Sequence, residues 1–362
     1  MRMSIHKPHI FREGEYTSSD LQSFSAAHDI QEVTDIYKKQ LGEYFDISHP
    51  QFLHTSDYEM QRQAYVSEHI TNQDLRGSWV YYPWSRRFVH MIGEDEYCAL
   101  RTNRNRDLIT VEEYKTLSRK KVGIVGLSIG STIARVVAMT GAAGSMTLAE
   151  YDTLDSTNMN RLFARVDQIG TSKVDILKQQ LYEFDPYLHL NFLEGRLTPE
   201  AARQISLESD APDIWIDAID DIPMKIELRK IARTARIPVL MVTSLGDDVL
   251  VDIERFDLEP ERPLFHGRLD DVIEEVDTTN LSEEKKHEYA VRVVGRDAVP
   301  ERAIESVKKI GSELVGRPQL MSTVSVAGGI AATVVRDIFL DKTRESGRTL
   351  IRFSDFFSQT HT

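Results

Sequence analysis

Asn158-Met-Asn160-Arg161 and Gly170-Thr-Ser-Lys173 place two amides, a guanidinium and an ammonium just after the acids of Glu150-Tyr-Asp152. Cations in such a cluster suit phosphoryl or nucleotidyl transfer, where charge on phosphate oxygens must be stabilised as the leaving group departs. Glu150 stands 24 residues after Gly126. That is the slot from which a carboxylate accepts from ribose hydroxyls. A dehydrogenase places an acid there too, so Glu150 reads as nucleotide without saying which. An NAD site, however, needs no second set of cations. Lys173 is either a phosphate ligand or a solvated lysine at a helix start. Asp220 closes an apolar run, where a hard carboxylate is a candidate Mg2+ ligand completed by waters and phosphate. The alternative is that Asp220 or Asp221 caps the next helix.

The elements that must hold these groups begin at Val122. Val122-Gly-Ile-Val-Gly126-Leu-Ser128-Ile-Gly130 is a short apolar run, a glycine turn and the start of a helical pattern. Gly126 and Gly130 let backbone approach a phosphate, and the helix offers free N–H groups and a positive dipole end. The turn is one residue short of Gly-x-Gly-x-x-Gly, and by itself it says only strand, turn, helix. Met146 to Asp152 reads as a second strand, Leu188 to Leu193 as a third, Asp213 to Ile219 as a buried fourth and Pro238 to Thr243 as a fifth. Helical patterns over Ser172–Glu183, Pro199–Leu207 and Pro223–Ala235 alternate with them. This order predicts an α/β fold, a doubly wound, mostly parallel, Rossmann-like sheet with helices on both faces. Asp248 to Phe256 alternates and predicts an added antiparallel hairpin strand. Met321 to Leu340 predicts a buried helix, and Thr349 to Phe356 a final edge strand.

Residues 1–99 read as an N-terminal accessory region. Leu21 and Phe24, then Ile30, Val33, Ile36, Tyr37 and Leu41, recur at helical spacing, and Ser19-Asp20 is a candidate cap. The aromatic run Trp79 to Trp84, with Pro83, reads as an edge strand or extended arm. Residues 100–256 form the nucleotide-binding core. Residues 257–362 supply a variable region, with a charged loop over Glu274–Lys286, and the helix and strand that complete the core. His266 is a loop histidine or a substrate contact.

Bulk composition narrows the class. The chain has 362 residues, 41% hydrophobic and 28% charged, which is an ordinary globular balance. A net charge of −13 argues against a general nucleic-acid binder. A lone cysteine, Cys98, rules out an intrachain disulfide and a cysteine zinc site and fits a reducing, cytoplasmic setting. No apolar run reads as long enough to span a bilayer, so no membrane is expected.

Taken together, these motifs resemble the ThiF/MoeB adenylyltransferases, which share their fold with ubiquitin-activating enzymes. The family's arginine pair before the first strand is matched by Arg101-Thr-Asn-Arg104, and its Asp-x-Asp by Glu150-Tyr-Asp152. Its Asn-Leu-Asn-Arg-Gln is matched by Asn158-Met-Asn160-Arg161-Leu162, its Gly-x-x-Lys by Gly170-Thr-Ser-Lys173, and its Asp-x-x-Asp-Asn by Asp217-Ala-Ile-Asp220-Asp221. The departures are the missing Gln, the second Asp in place of Asn, and the short glycine loop. With no cysteine after the fifth strand, the thioester step of ubiquitin activation has no thiol to receive the acyl group. Microcin-type peptide-modifying members are similar in having an N-terminal extension and no thioester. The likeness to ThiF-like domains found beside nitroreductase domains is fainter, and no flavin-binding half is visible.

The resemblance implies an ATP-dependent adenylyltransferase that activates a substrate carboxylate, such as a peptide, a carrier-protein tail or a small acid, as an acyl-adenylate. Glu150 would hold the ribose, with Gly126, Ser128, Gly130, Asp152, Asn158 and Asn160 around the nucleotide. Arg104, Arg161 and Lys173 would stabilise the phosphates, and Asp220 would hold Mg2+. The early arginine usually serves a partner's site, which implies a homodimer. The competing readings are an NAD(P)-dependent oxidoreductase and a non-catalytic nucleotide-binding scaffold.

Overall fold

The computed structural model describes residues 7–70, 75–193, 195–273, 276–342 and 345–358. The chain divides into two compact units. One comprises Met1–Val111 with Lys178–Leu188, the other Glu112–Leu177 with His189–Thr362.

The first unit contains β1 (His9–Phe11), α1 (Ser18–Ala27), β2 (Glu32–Asp35), α2 (Tyr37–Ser48), α3 (Tyr58–His69), β3 (Ser78–Tyr82), β4 (Arg87–Met91) and α4 (Glu94–Thr102). Its helices were expected. Its four-stranded sheet, in the order β1-β3-β4-β2, was not. The Ile30–Ile36 stretch forms β2, paired parallel to β4, instead of a helix. Two β-branched residues, Val33 and Thr34, sit in it, and such residues favour strands. The aromatic run is an interior strand, not an edge: β3 pairs with both β1 and β4, and Pro83 falls in the turn beyond it. Thr17, not Ser19, caps α1, in a capping box with Asp20.

The second unit is built on α5 (Val111–Leu117), β5 (Lys121–Val125), α6 (Ile129–Thr140), β6 (Ser145–Ala149), α7 (Lys173–Phe184), β7 (His189–Leu193), α8 (Pro199–Leu207), β8 (Ile214–Asp217) and α9 (Ile222–Ala235). It continues with β9 (Val239–Leu245), β10 (Asp248–Glu254), α10 (Glu283–Val294), α11 (Glu301–Lys308), α12 (Met321–Phe339), β11 (Gly347–Ile351) and α13 (Phe353–Ser358). The seven strands run β11-β10-β9-β8-β5-β6-β7. β7, β6, β5, β8 and β9 are parallel, while β10 and β11 are antiparallel additions. The doubly wound sheet is therefore as expected. The last strand is shorter than its pattern suggested, since a helix begins at Phe353. Glu274 and Glu275 of the expected charged loop lie outside the described residues; its later part opens α10.

The chain leaves β5, winds outward through β6 and β7, then returns to β8 on the other side of β5. Such a reversal opens a crevice at the carboxyl ends of the two central strands. α12 is the one described helix long and apolar enough to span a bilayer, contrary to expectation. It packs against α6, β9 and β10, and Val324, Ala327, Ala331 and Val335 are buried there. Gly328 allows that approach, because a Cβ would lie 2.8 Å from the Thr132 methyl of α6.

Candidate functional site

The cleft at the strand ends measures about 240 Å3. β5 contributes Val125, with Gly126 and Ser128 after it; β6 contributes Ala149, followed by Glu150, Tyr151 and Asp152. The loop behind β6 adds Asp155, Asn158 and Arg161, α7 adds Lys173, and the turn after β8 adds Ala218 to Asp221. Of the residues singled out in the sequence, Gly126, Ser128, Glu150, Asp152, Asn158, Arg161, Lys173 and Asp220 are thus brought together. Gly130 and Asn160 do not line the cleft. Arg104 lies in the first unit, on a short 3-10 turn over Asn103–Asn105.

The glycine turn is shaped first by protein packing. Gly126 has φ +87°, and a Cβ there would sit 2.4 Å from the Ala218 carbonyl oxygen. Gly130 faces the side chains of Ile124 and Ala218 at 3.0 and 3.4 Å from an added Cβ. Both glycines bring the turn down onto the end of β8, so the short loop fits against its own strand neighbour. The Glu150 carboxylate then ties the turn to β6. It accepts from Leu127 N at 2.9 Å, Tyr151 N at 2.8 Å and Asp152 N at 3.1 Å. A carboxylate has about four acceptor sites, so these bonds leave capacity for a further donor.

The cations differ in how their charge is met. Lys173 pairs with Asp152 at 3.0 Å, and its side chain is largely buried. Arg196 pairs with Asp221 at 2.7 Å and lies over the Tyr151 ring, 5.3 Å from its centroid. Arg317 pairs with Asp220. Arg161 makes no ion pair with a carboxylate among the described residues. It donates to neutral acceptors: the Thr157 carbonyl at 3.0 Å, Asn160 Oδ1 at 2.9 Å and Ser128 Oγ at 3.4 Å. Burial draws its guanidinium below the ordinary arginine value, with Asp220 opposing and Arg317 adding to that shift. Its N–H groups thus meet neutral acceptors, and no carboxylate among the described residues pairs with it at contact distance.

The two amides have structural duties. Asn158 Oδ1 accepts from Asp155 N, closing a turn, and Asn160 Nδ2 donates to the Gln319 carbonyl at 2.7 Å. Neither Asp220 nor Asp221 caps α9 through its side chain; Asp221 is the N-cap residue, and its carboxylate serves Arg196. His266 faces away from the cleft chemistry. It pairs with Asp252 at 2.7 Å and with Arg262 at 2.9 Å, in a left-handed turn shared with Phe265.

Beneath the cleft runs a buried charge network that the sequence did not reveal. Asp217, at the end of β8, is fully buried and accepts from Lys225 Nζ at 2.8 Å and Arg229 Nη1 at 2.6 Å. Arg229 also holds Glu254 of β10, whose other oxygen accepts from Phe265 N at 2.7 Å. Burial alone would raise the Asp217 carboxyl, but Lys225 and Arg229 bring it below its ordinary value. Glu254 ends above its ordinary value because burial outweighs Arg229. The available signal was the pair of cations one helical turn apart, Lys225 and Arg229, on the helix after an acid-ended strand. Arg196 and Arg317 had no local signal.

As for a divalent cation, among the described residues no three His, Cys, Asp or Glu side chains gather into a cage. Asp220, 74% exposed at the cleft rim, is one hard ligand. That donor set fits Mg2+, which is habitually bound by one or two carboxylates plus substrate phosphates.

A doubly wound sheet with a polar cleft at its switch point defines the class. Within it, the chain belongs to the ThiF family, whose model matches residues 101–361. The resemblance carried by the five motifs therefore holds. An uncharacterized protein of Mycobacterium tuberculosis (strain CDC 1551 / Oshkosh) is 37% identical over 276 residues, 76% of this chain and 38% of its own length. The tRNA threonylcarbamoyladenosine dehydratase of Bacillus subtilis (strain 168) is 32% identical over 158 residues, 43% of this chain and 60% of its own. The chain thus spans less than two thirds of either relative, and little more than a third of the first. Among solved structures, E. coli tRNA N6-threonylcarbamoyladenosine dehydratase in complex with ATP aligns with TM-score 0.49 and 18% identity, over 67% of this chain and 95% of that one.

Proposed function

We propose that the protein is an ATP-dependent adenylyltransferase. A substrate carboxylate oxygen attacks the α-phosphorus of ATP, the bond to the β-phosphate bridging oxygen breaks, and pyrophosphate leaves with the electron pair. The observation that carries this reading is Arg161, which among the described residues forms no ion pair with a carboxylate and lines the same cleft as Glu150 and Asp220. Glu150 would accept from the ribose with its remaining capacity. Arg161 and Lys173 would hold the phosphates in line, Lys173 exchanging its contact with Asp152. Asp220 would be the protein ligand of Mg2+, which when bound neutralises phosphate charge. No general base is needed, because a carboxylate is already ionised near neutral pH. Positioning and electrostatics would supply the rate.

The substrate class is a carboxylate on a peptide, a protein tail or a small acid. Family resemblance supports a homodimer in which Arg104 of one copy serves the phosphates of the other. The test is exchange of labelled pyrophosphate into ATP in the presence of Mg2+ and candidate carboxylates. The expected result is exchange that disappears in Asp220→Ala and Arg161→Ala. Tight NADH binding with no exchange for any peptide or acid would overturn the reading in favour of an oxidoreductase.

A further inference from the structure

Residues 310–320, between α11 and α12, reach the rim of the cleft at Arg317 and Gln319. Their far end is fixed, since Thr323 in the first turn of α12 donates to the Gly246 carbonyl at 2.7 Å. The stretch itself is exposed, with Val315 at 90%. Two side-chain tethers hold it among the described residues. Arg317 pairs with Asp220 after β8, and Asn160 Nδ2 donates to Gln319 O in the loop behind β6. The strap therefore bridges the two walls of the cleft. Asn160 is also coupled to Arg161, because its Oδ1 accepts from Arg161 Nη1.

We propose that Arg317 is a further phosphate-binding residue of the adenylylation site, which exchanges its pairing with Asp220 for the nucleotide when a metal ion takes that carboxylate. The proposal rests on the reading of the cleft as a nucleotide site. The warrant is electrostatic. Arg317 donates to Oδ1 of Asp220, and a divalent cation on the same carboxylate would lie close enough to the guanidinium to repel it. A cation at Asp220 would therefore weaken the hold on Arg317 and favour its transfer to another anion. Arg161 already acts on the same pair: Asp220 and Arg317 both influence its charge. A released Arg317, four residues before α12, stays near Arg161, within reach of a polyphosphate held there. Its planar fork suits two phosphate oxygens at once, which a lysine would not reproduce.

The exchange predicts a coupling that a purely structural ion pair would not show. ATP binding is measured by calorimetry on the full chain in EDTA, for wild type, Asp220→Asn, Arg317→Ala and the double variant. Both side chains are half-exposed or more, so these variants keep the fold. Asp220→Asn is expected to tighten metal-free ATP binding about fivefold when Arg317 is present, because the guanidinium is set free, and by less than twofold when Arg317 is alanine. In excess Mg2+, Arg317→Ala is expected to weaken ATP binding about tenfold, with Arg317→Lys between the two. Mn2+ alone, followed by electron paramagnetic resonance, is expected to bind Arg317→Ala more tightly than wild type. Equal effects of Asp220→Asn in both backgrounds, with ATP binding to the wild type intact, would overturn the handover and leave the nucleotide site standing. Absence of ATP binding to the wild type would overturn both.

Discussion

At the scale of single residues, the charge that governs the site is arranged on two levels. At the surface, Asp152, Asp220 and Asp221 each hold a cation that a ligand could claim. Below, Arg229 is fully buried and joins Asp217 to Glu254. Removing one member of a buried ionic group leaves the others uncompensated, at about 3–5 kcal/mol. Arg229→Met is therefore expected to lower the stability of the second unit by about that amount, read from urea unfolding at pH 7 with Trp215 fluorescence as reporter. Asp217 has a depressed folded-state value, so its contribution is present above the unfolded carboxyl range and lost as pH falls below about 4. Glu254, shifted upward, acts in the opposite sense. Wild-type stability is expected to drop with acid below pH 4, and the gap between wild type and Arg229→Met to narrow there.

At the scale of elements, the glycine turn matters for how β5, β6 and β8 meet. Gly126→Ala would force a Cβ into the Ala218 carbonyl at a left-handed backbone position. Strain of about 1–3 kcal/mol is expected from that backbone region alone. The expected outcome is a lower urea midpoint together with weakened ATP binding, since the same turn lines the cleft.

The parallel core was legible because strands buried on both faces read as short apolar runs between helical patterns, as Ile214–Asp217 does. The acids and cations at the strand ends were legible because their spacing follows one βαβ unit. What was not legible depends on distant pairing. β3 could be read as an edge because its neighbour β1 is only three residues long. Arg317 meets Asp220 across 97 positions, and no local pattern marks such a pair. The packing role of the glycine turn was not legible for the same reason: the group a Cβ at Gly126 would meet is the Ala218 carbonyl, just after β8.

At the scale of the whole molecule, the first unit is completed by a piece of chain that comes late. Lys178–Leu188 belongs to it, although Glu112–Leu177 belongs to the second unit. Within the first unit, Tyr187 packs with Val80, Tyr82 and Met91 and donates to the Ile92 carbonyl at 3.1 Å. Glu183 accepts from Trp84 and Arg87, and Asp185 pairs with Arg101 at 3.1 Å. A fragment ending at residue 111 lacks all of these. It is expected to show no cooperative thermal transition by circular dichroism, whereas a fragment ending at residue 188 should regain Trp79 and Trp84 near-ultraviolet signals.

That late segment also sets a clock on synthesis. The first unit is not expected to close when the chain up to Val111 has emerged, because residues 112–177 must be made before Lys178–Leu188 arrives. At about 5–20 residues per second, that is a wait of roughly 3–13 seconds. During it, the faces of Val80, Tyr82 and Met91 that Tyr187 will cover stand open on the nascent chain. The protein is therefore expected to pass through a period of exposed apolar surface at the ribosome, a stage at which a holding chaperone would have something to bind.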